Sequence, residues 1–213
     1  MQTFIEHEAK ILNVDIDAVR ARLENLGAQK ILEDTTYMEG FEFNPESQSV
    51  SLTVPQQFRE IINAIDKLRA TGNMFSQGAY LRLRREGSKY ELIFKQRCAL
   101  DSVVKSEVEI SVLIHKDEWD TVVKMLESLG LSRIAVQEKK RISYEHGDTR
   151  YDVDTWPGVP PYVEVEAPSA QAVLEAVALL GFADSDAVSL SAAEVFKKYG
   201  IVNPLYLTFA EAE

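Results

Sequence analysis

The chain has little cysteine, no long apolar run and no N-terminal leader pattern. Its 213 residues include a single cysteine, Cys98, so an internal disulfide or a cysteine-based metal site cannot form. The longest apolar stretches fall well short of the roughly 18 residues that a transmembrane helix needs. The segment MQTFIEHEAK carries charges by residue 6 and lacks the apolar centre of a secretory signal. Together these absences predict a cytoplasmic protein that does not act at a membrane.

Positive charge is also in short supply. The formal net charge is -11, from 23 basic and 34 acidic residues. Because nucleic-acid binding depends on neutralising phosphates with Lys and Arg, nucleic acid is not the expected partner. Apolar residues make up 46% of the chain, which indicates a globular protein with a sizeable core. No linker rich in Pro, Gly or Ser divides the sequence, so we expect one domain over residues 1–213.

Several segments have the spacing of short amphipathic helices. Apolar residues recur every three or four positions, before a glycine, in segments 15–28, 116–131 and 168–182. A last short helix is predicted over 191–199. Another is expected within 45–78, a helical insertion between two strands. The sequence leaves open whether this insertion is a lid, a dimer contact or decoration.

Eight further segments show the two-residue alternation of β-strands. The predicted strands are 2–12, 30–43, 79–86, 89–97, 103–114, 133–145, 149–155 and 161–167. Two connections, at Gly87-Ser88 and Gly147-Asp148, have the composition of tight hairpin turns. The chain after Asn203 is expected to be irregular.

The polar faces of these strands are almost purely charged, and like charges stand two residues apart. Glu6 and Glu8 share one face of the first strand with Lys10, and Arg82 and Arg84 share one face of the third. A solvated sheet face also alternates, but it tolerates Ser, Thr and Gln in a loose mixture. Pairs of like charge indicate a ligand that offsets them. Carboxylates suit a hard divalent cation, and arginines suit phosphate.

Closing such a sheet on itself would turn the charged faces inward and the apolar faces towards the helices. We therefore expect an α+β fold built on a closed eight-stranded antiparallel β-barrel, with a charged lumen and helices packed on the outside. A barrel of eight strands can hold side chains or one small ligand. The expected ligand is a metal-bound polyanion.

The order of the charged motifs resembles the CYTH family, also called triphosphate tunnel metalloenzymes. That family includes class IV adenylate cyclases, thiamine triphosphatases and inorganic triphosphatases. The motifs, in chain order, are E-x-E-x-K (Glu6, Glu8, Lys10), R-x-R (Arg82, Arg84), a strand with Lys95, a basic-x-E-x-E segment (Lys105, Glu107, Glu109), K-x-R (Lys139, Arg141), an aspartate (Asp154, with Asp152 beside it) and E-x-E (Glu164, Glu166). Two features depart from the family: Lys105 stands where Arg is usual, and the 45–78 segment is long.

The resemblance implies a metal-dependent phosphohydrolase that acts on triphosphate-containing substrates, namely inorganic triphosphate, thiamine triphosphate or a nucleoside triphosphate. The alternatives are a class IV adenylate cyclase, which converts ATP to cyclic AMP and pyrophosphate, and a non-catalytic module that binds polyphosphate or nucleotide. The implied partner is a small triphosphate-containing molecule, and a homodimer is left open.

The resemblance also assigns roles to the charged residues. Mg²⁺ or Mn²⁺ would bind the carboxylates of Glu6, Glu8, Glu107, Glu109, Asp152, Asp154, Glu164 and Glu166. The substrate phosphates would contact Lys10, Arg82, Arg84, Lys95, Lys105, Lys139 and Arg141. The expected catalytic residues are Glu6, Glu8 and Lys10. From their positions at strand ends, Tyr80 and Trp156 could touch an organic group, and Lys197 and Lys198 could close over the open end.

Overall fold

The computed structural model of the chain describes residues 2–44, 53–69, 74, 78–98 and 103–211, with side chains from Ile5 to Ala210 in those ranges. Much of the expected insertion at 45–78 lies outside the described residues, namely 45–52, 70–73 and 75–77.

Eight strands form the wall of a closed barrel. They are β1 (Gln2–Leu12), β2 (Gln29–Phe43), β3 (Ala79–Glu86), β4 (Lys89–Arg97), β5 (Lys105–Leu113), β6 (Leu131–His146), β7 (Thr149–Thr155) and β8 (Tyr162–Ala167). Neighbours pair antiparallel in the order β6-β2-β3-β4-β5-β1-β8-β7, and β7 pairs again with β6. The predicted closed antiparallel barrel is therefore confirmed.

Two short strands were not predicted from the sequence. Strand β9 (Ala187–Val188) pairs with β1 beside Lys10, and β10 (Tyr206–Leu207) runs parallel to β6. The prediction of an irregular chain after Asn203 is therefore wrong at β10. A strand of two residues is too short to show an alternating pattern, so its pairing partner alone reveals it.

Both predicted hairpin turns are present at the ends of long strands. Gly87 connects β3 to β4 with φ of 59°, and Gly147 connects β6 to β7 with φ of 60°. Side chains with a Cβ rarely adopt this left-handed conformation, which explains glycine at both turns.

In the part of the chain that the structure describes, five α-helices surround the barrel. They are α1 (Ile16–Asn25), α2 (Arg59–Arg69), α3 (Trp119–Ser128), α4 (Ala170–Leu179) and α5 (Ala192–Lys198). Helices α1 and α4 pack with the outward residues of β1, β6, β7 and β8, whereas α2 and α3 pack with those of β3, β4 and β5. Helix α5 packs at one end of the barrel, on side chains that face the lumen. Among the described residues, no helix combines the length and apolarity needed to cross a bilayer.

Helix α2 is the described core of the expected insertion, and it covers the barrel wall. Its apolar residues Ile61, Ile62, Ile65 and Leu68 are buried. They belong to the same apolar cluster as the outward-facing Leu81 of β3. The structure thus gives this part of the 45–78 segment a packing role on the outside of the barrel.

This role predicts a large stability cost for truncating α2. We expect Ile61→Ala to lower the free energy of unfolding by about 2–5 kcal/mol, because it removes fully buried methyl groups and leaves a cavity. Urea denaturation measures this difference. The exposed neighbour Asn63 is the control, and Asn63→Ala should change stability by less than about 0.5 kcal/mol. Equal effects from the two variants would contradict the packing role.

Candidate functional site

The barrel lumen contains a cavity of about 710 Å³. Side chains from all eight long strands line it, as do residues of α5 and of the chain before β10. All of the predicted metal-binding, substrate-binding and catalytic residues line this cavity, with the exception of Asp154. The alternating charges of the sequence are therefore the inner wall of the barrel.

Three carboxylates meet on one side of the lumen. Glu6, Glu8 and Glu107 each offer an oxygen, and these oxygens lie within 4.8 Å of one another. The register explains the grouping, since Glu6 of β1 stands directly opposite Glu107 of β5. Burial, together with the nearby Glu8 and Glu109, raises the pKa of Glu6 above its ordinary value. Burial and mutual repulsion make the ionised form of such a carboxylate group unfavourable, and a bound cation would relieve this. A hard divalent cation, which prefers oxygen ligands, therefore fits the group.

Two lysines contact these carboxylates. The Nζ atom of Lys105 contacts Glu8 and lies 3.1 Å from Glu107 Oε2. The Nζ atom of Lys95 contacts Glu6 and lies 2.9 Å from Glu109 Oε2. Each of these two lysines thus lies between two carboxylates.

Lys10 occupies a third such position, between Glu8 (2.8 Å) and Glu164 (2.6 Å). Burial opposes the charge of its ammonium group, but Glu164 and Glu8 raise the pKa of Lys10 well above its ordinary value. A lysine that remains protonated suits a contact with phosphate better than the abstraction of a proton.

A second acidic group surrounds Arg141. Its guanidinium lies 2.5 Å from Asp152, 2.7 Å from Asp154, 2.9 Å from Glu164 and 3.5 Å from Glu86. Asp154 is fully buried and also accepts a hydrogen bond from Lys139 at 2.7 Å. Asp152 lines the cavity, whereas Asp154 lies behind the two cations. Asp154 therefore holds Lys139 and Arg141 in position from outside the cavity.

Two groups in the lumen have pKa values near neutrality. Burial and the neighbouring Arg141 lower the pKa of Lys139 to about 8. Burial and the neighbouring Glu6 raise the pKa of Glu166 to about 8. Both shifts show that this wall holds its charges in a poorly hydrated space, where a bound ion of opposite sign has a strong effect.

Arg82 differs from the other lumen cations. Its Nη1 atom lies 3.6 Å from Met38 Sδ, and its guanidinium lies 5.4 Å from the centroid of the Tyr80 ring. Its Nε atom is buried without a hydrogen-bond partner. Within the described part of the chain, no carboxylate forms an ion pair with Arg82. Its charge is therefore available to an anionic ligand.

Sequence reasoning missed three charged residues at the opposite end of the lumen from α5. Glu86 accepts hydrogen bonds from Thr36 and Arg150, each at 3.3 Å. Glu91 pairs with Arg84 at 2.7 Å. The signal was present, because Glu86 lies two residues after Arg84 and Arg150 two residues before a lumen-facing aspartate. Extending the alternation by one step would have found Glu86 and Arg150, whereas Glu91 lies two steps before Lys95, beyond the uncharged Ile93.

The other end of the lumen is bordered by α5. Trp156 packs edge-on against Phe196, with 4.9 Å between ring centroids, and Arg97 donates a hydrogen bond to the carbonyl oxygen of Ser189 at 3.2 Å. Trp156 and Tyr80 line the cavity, as expected. Lys197 and Lys198 are exposed and do not line it, so α5 contributes Ala192, Ala193, Glu194 and Phe196 rather than its lysines.

Comparison with known proteins agrees with this architecture. A family model for the CYTH domain matches residues 71–189. A protein from Vibrio parahaemolyticus, provisionally assigned as an adenylate cyclase, has a TM-score of 0.67 at 16% identity, over 92% of this chain and 99% of its own. A protein from Pyrococcus horikoshii has a TM-score of 0.62 at 16% identity, over 89% of this chain and 98% of its own.

A third similar structure is that of a Hippeastrum protein, provisionally named an adenylyl cyclase, for which a dominant triphosphatase activity is described. Its TM-score is 0.56 at 17% identity, over 94% of this chain and 98% of its own. At such identities these structures establish the fold. No curated protein matches the chain by sequence.

The ionic group around Glu86 predicts how stability depends on pH. Burial opposes its charge, but Arg141 and Arg84 hold the pKa of Glu86 well below its ordinary range. A depressed carboxyl pKa stabilises the fold fully above the ordinary value of about 4.3, and this contribution is lost as the pH falls towards the folded-state pKa. We expect Glu86→Gln to lower the free energy of unfolding at pH 7 by about 1.5–3 kcal/mol and to weaken its decline towards pH 3.

Urea midpoints of the wild type and the variant at several pH values between 7 and 3 test this prediction. Glu127 on the exposed face of α3 is the control, and Glu127→Gln should follow the wild-type curve. A constant difference between Glu86→Gln and the wild type at every pH would contradict it.

Proposed function

The chain belongs to the CYTH domain family, and from this membership we propose that it is a metal-dependent hydrolase of triphosphate-containing substrates. The observation that carries the proposal is the presence, in one closed lumen, of the carboxylate trio Glu6, Glu8 and Glu107 and of Arg82, which forms no ion pair with a carboxylate of the described residues. One group offers ligands to a cation and the other offers a charge to an anion. The proposed partner is a small triphosphate-containing molecule, and the proposed compartment is the cytoplasm.

The carboxylate trio would hold Mg²⁺ or Mn²⁺, both of which accept oxygen ligands. A divalent cation bound there would offset phosphate charge and make a coordinated water more acidic. Glu109 and Glu166 border the same side of the lumen and could complete the ligand set.

The cations of the wall would hold the phosphates. Arg82 offers its guanidinium directly, and Arg84 and Lys139 line the same cavity. Phosphoryl transfer depends mainly on positioning and on neutralising charge, and a closed, poorly hydrated wall strengthens both. Arg141 faces four carboxylates, so its main contribution would be to fix their geometry.

Hydrolysis and the cyclisation of ATP would need nearly the same charged wall. The dominant triphosphatase activity described for the Hippeastrum protein favours hydrolysis. The product pattern distinguishes the two reactions, since hydrolysis releases phosphate and cyclisation releases pyrophosphate and cyclic AMP.

The test is to incubate the protein with Mg²⁺ and with inorganic triphosphate, thiamine triphosphate or ATP, and to measure phosphate, pyrophosphate and cyclic AMP. We expect metal-dependent release of phosphate. Substitution of a residue that only supports the metal ligands typically lowers activity by roughly 10–100-fold. Glu8→Gln should lower it by more than this, because a ligand oxygen itself loses its charge. The circular dichroism spectrum should be unchanged, and Glu127→Gln is the control.

Three outcomes would contradict the proposal. Cyclic AMP and pyrophosphate from ATP would identify a cyclase. Tight binding of all three compounds without turnover would identify a binding module. Full activity in Glu8→Gln would remove the trio from the metal site.

Arg82 should act mainly on substrate binding. We expect Arg82→Ala to raise KM by about 10–100-fold, since it removes charged hydrogen bonds worth about 1.5–3 kcal/mol to phosphate. Steady-state kinetics measure the effect. Arg85 lies on the same strand but does not line the cavity, and it donates a hydrogen bond to the Thr35 carbonyl oxygen. Arg85→Ala is therefore the matched control. An unchanged KM in Arg82→Ala would exclude a phosphate contact.

A further inference from the structure

The inner wall of the barrel is not charged on every side. Strand β2 and the first half of β6 present uncharged and mostly small residues to the cavity, and Phe196 of α5 and Leu205 before β10 continue this surface. Helix α5 also brings Glu194 to the cavity, where its carboxylate lies 3.7 Å from Arg97 Nη1. We call this surface the neutral wall. Its residues are Met38, Gly40, Ala135, Trp156, Phe196 and Leu205.

Small residues leave space on the strand side of the neutral wall. Gly40 and Ala135 are register partners on β2 and β6. A Cβ atom added to Gly40 would lie 3.1 Å from the Cβ atom of Ala135, so a larger residue at position 40 would crowd its neighbour. Lumen-facing positions of β1 and β5 carry long charged side chains instead, such as Glu6, Lys10 and Glu107. The small residues at positions 40 and 135 therefore leave space beside them.

Aromatic side chains shape the helix side of the neutral wall. Trp156 donates from Nε1 to the hydroxyl of Tyr162 at 2.7 Å and packs against Phe196. These contacts fix the indole plane. The residues before β10 are hydrogen-bonded to the same region. Gln137 Nε2 donates to the Pro204 carbonyl oxygen at 2.6 Å, and the Val136 backbone N–H donates to the Leu205 carbonyl oxygen at 2.7 Å.

The neutral wall directly adjoins the cations that would bind phosphate. Arg82 contacts Met38 Sδ at 3.6 Å, and Lys139 Nζ lies 5.4 Å from the centroid of the Trp156 ring. A ligand whose phosphates contact Arg82 and Lys139 would therefore have Met38 and Trp156 within reach of its remaining atoms.

Inorganic triphosphate would gain nothing from such a surface, because a fully charged ligand has no apolar area to bury. An organic group would gain about 25 cal/mol for each Å² of apolar surface removed from water. The cavity volume of about 710 Å³ is within the range, about 300–1,000 Å³, of sites for drug-sized organic ligands.

We propose that the neutral wall binds the organic part of the substrate, so that the preferred substrate is a triphosphate ester of a bulky organic alcohol. This inference rests on the proposed triphosphatase function and narrows it by excluding inorganic triphosphate as the preferred substrate.

The first test compares inorganic triphosphate, methyl triphosphate, thiamine triphosphate and ATP as substrates in the presence of Mg²⁺. We expect kcat/KM for at least one bulky ester to exceed the values for inorganic and methyl triphosphate by about tenfold or more, the usual yield of a fitted apolar contact. Equal or higher kcat/KM for inorganic triphosphate would overturn the inference and leave the triphosphatase proposal intact.

The second test fills the space beside the neutral wall with a larger side chain on α5. Ala193 is exposed and borders the cavity, so Ala193→Trp should fold and fill part of the space. We expect it to raise KM for the bulky ester by about tenfold or more and to leave inorganic triphosphate within about twofold. Lys198 is exposed on the same helix and does not line the cavity, so Lys198→Trp is the matched control. Equal effects of Ala193→Trp on both substrates would contradict the inference.

Binding measurements keep the two proposals separate. If no triphosphate is hydrolysed, the proposed function fails, and calorimetry with Mg²⁺ then compares the affinities for ATP, thiamine triphosphate and inorganic triphosphate. Tighter binding of an organic triphosphate that Ala193→Trp abolishes would still support the neutral wall. Equal affinities in the wild type would overturn it.

Discussion

The burial of charge inside a closed barrel is the constraint on which the rest of this structure depends. Moving an isolated charge out of water costs several kcal/mol, so a lumen of ionised side chains is stable only if opposite charges alternate. The lysines meet this requirement by lying between carboxylates, as Lys10 does between Glu8 and Glu164. Elsewhere in the lumen, the single guanidinium of Arg141 contacts four carboxylates and helps to offset their charge. Such a balanced wall is suited to a ligand that brings a cation and a polyanion together.

The outer layer follows from the same alternation. Each strand that directs charges into the lumen directs apolar side chains outward, and those require cover. Helices α1 and α4 cover one part of the barrel, and α2 and α3 cover another. Closure also removes the free sheet edges that would otherwise pair with other chains. The segment between β2 and β3, unexplained as a sequence, includes a helix that contributes to this cover.

The lumen itself divides into a charged side and an uncharged side. The charged side follows from repeated motifs that a sequence displays, whereas the neutral wall combines Met38 with residues as distant as Leu205. Catalysis would depend on the first and the choice of substrate on the second. A barrel of one architecture could thus retain its phosphate chemistry while the residues beside Trp156 determine which organic group is accepted.

The sequence alone determined the eight long strands, the hairpin turns and the face on which most lumen charges lie, because an alternation of two residues is a local property of the chain. It also placed Arg84 and Asp152 on lumen-facing positions, and one further step would have added Glu86 and Arg150. Only the tertiary structure decided which charges meet. The pairing of β1 with β5 brings Glu6 opposite Glu107, and the pairing of β6 with β7 places Asp154 behind Arg141 instead of at the cavity surface. Register between strands far apart in sequence depends on how the whole barrel closes, and no local pattern encodes it.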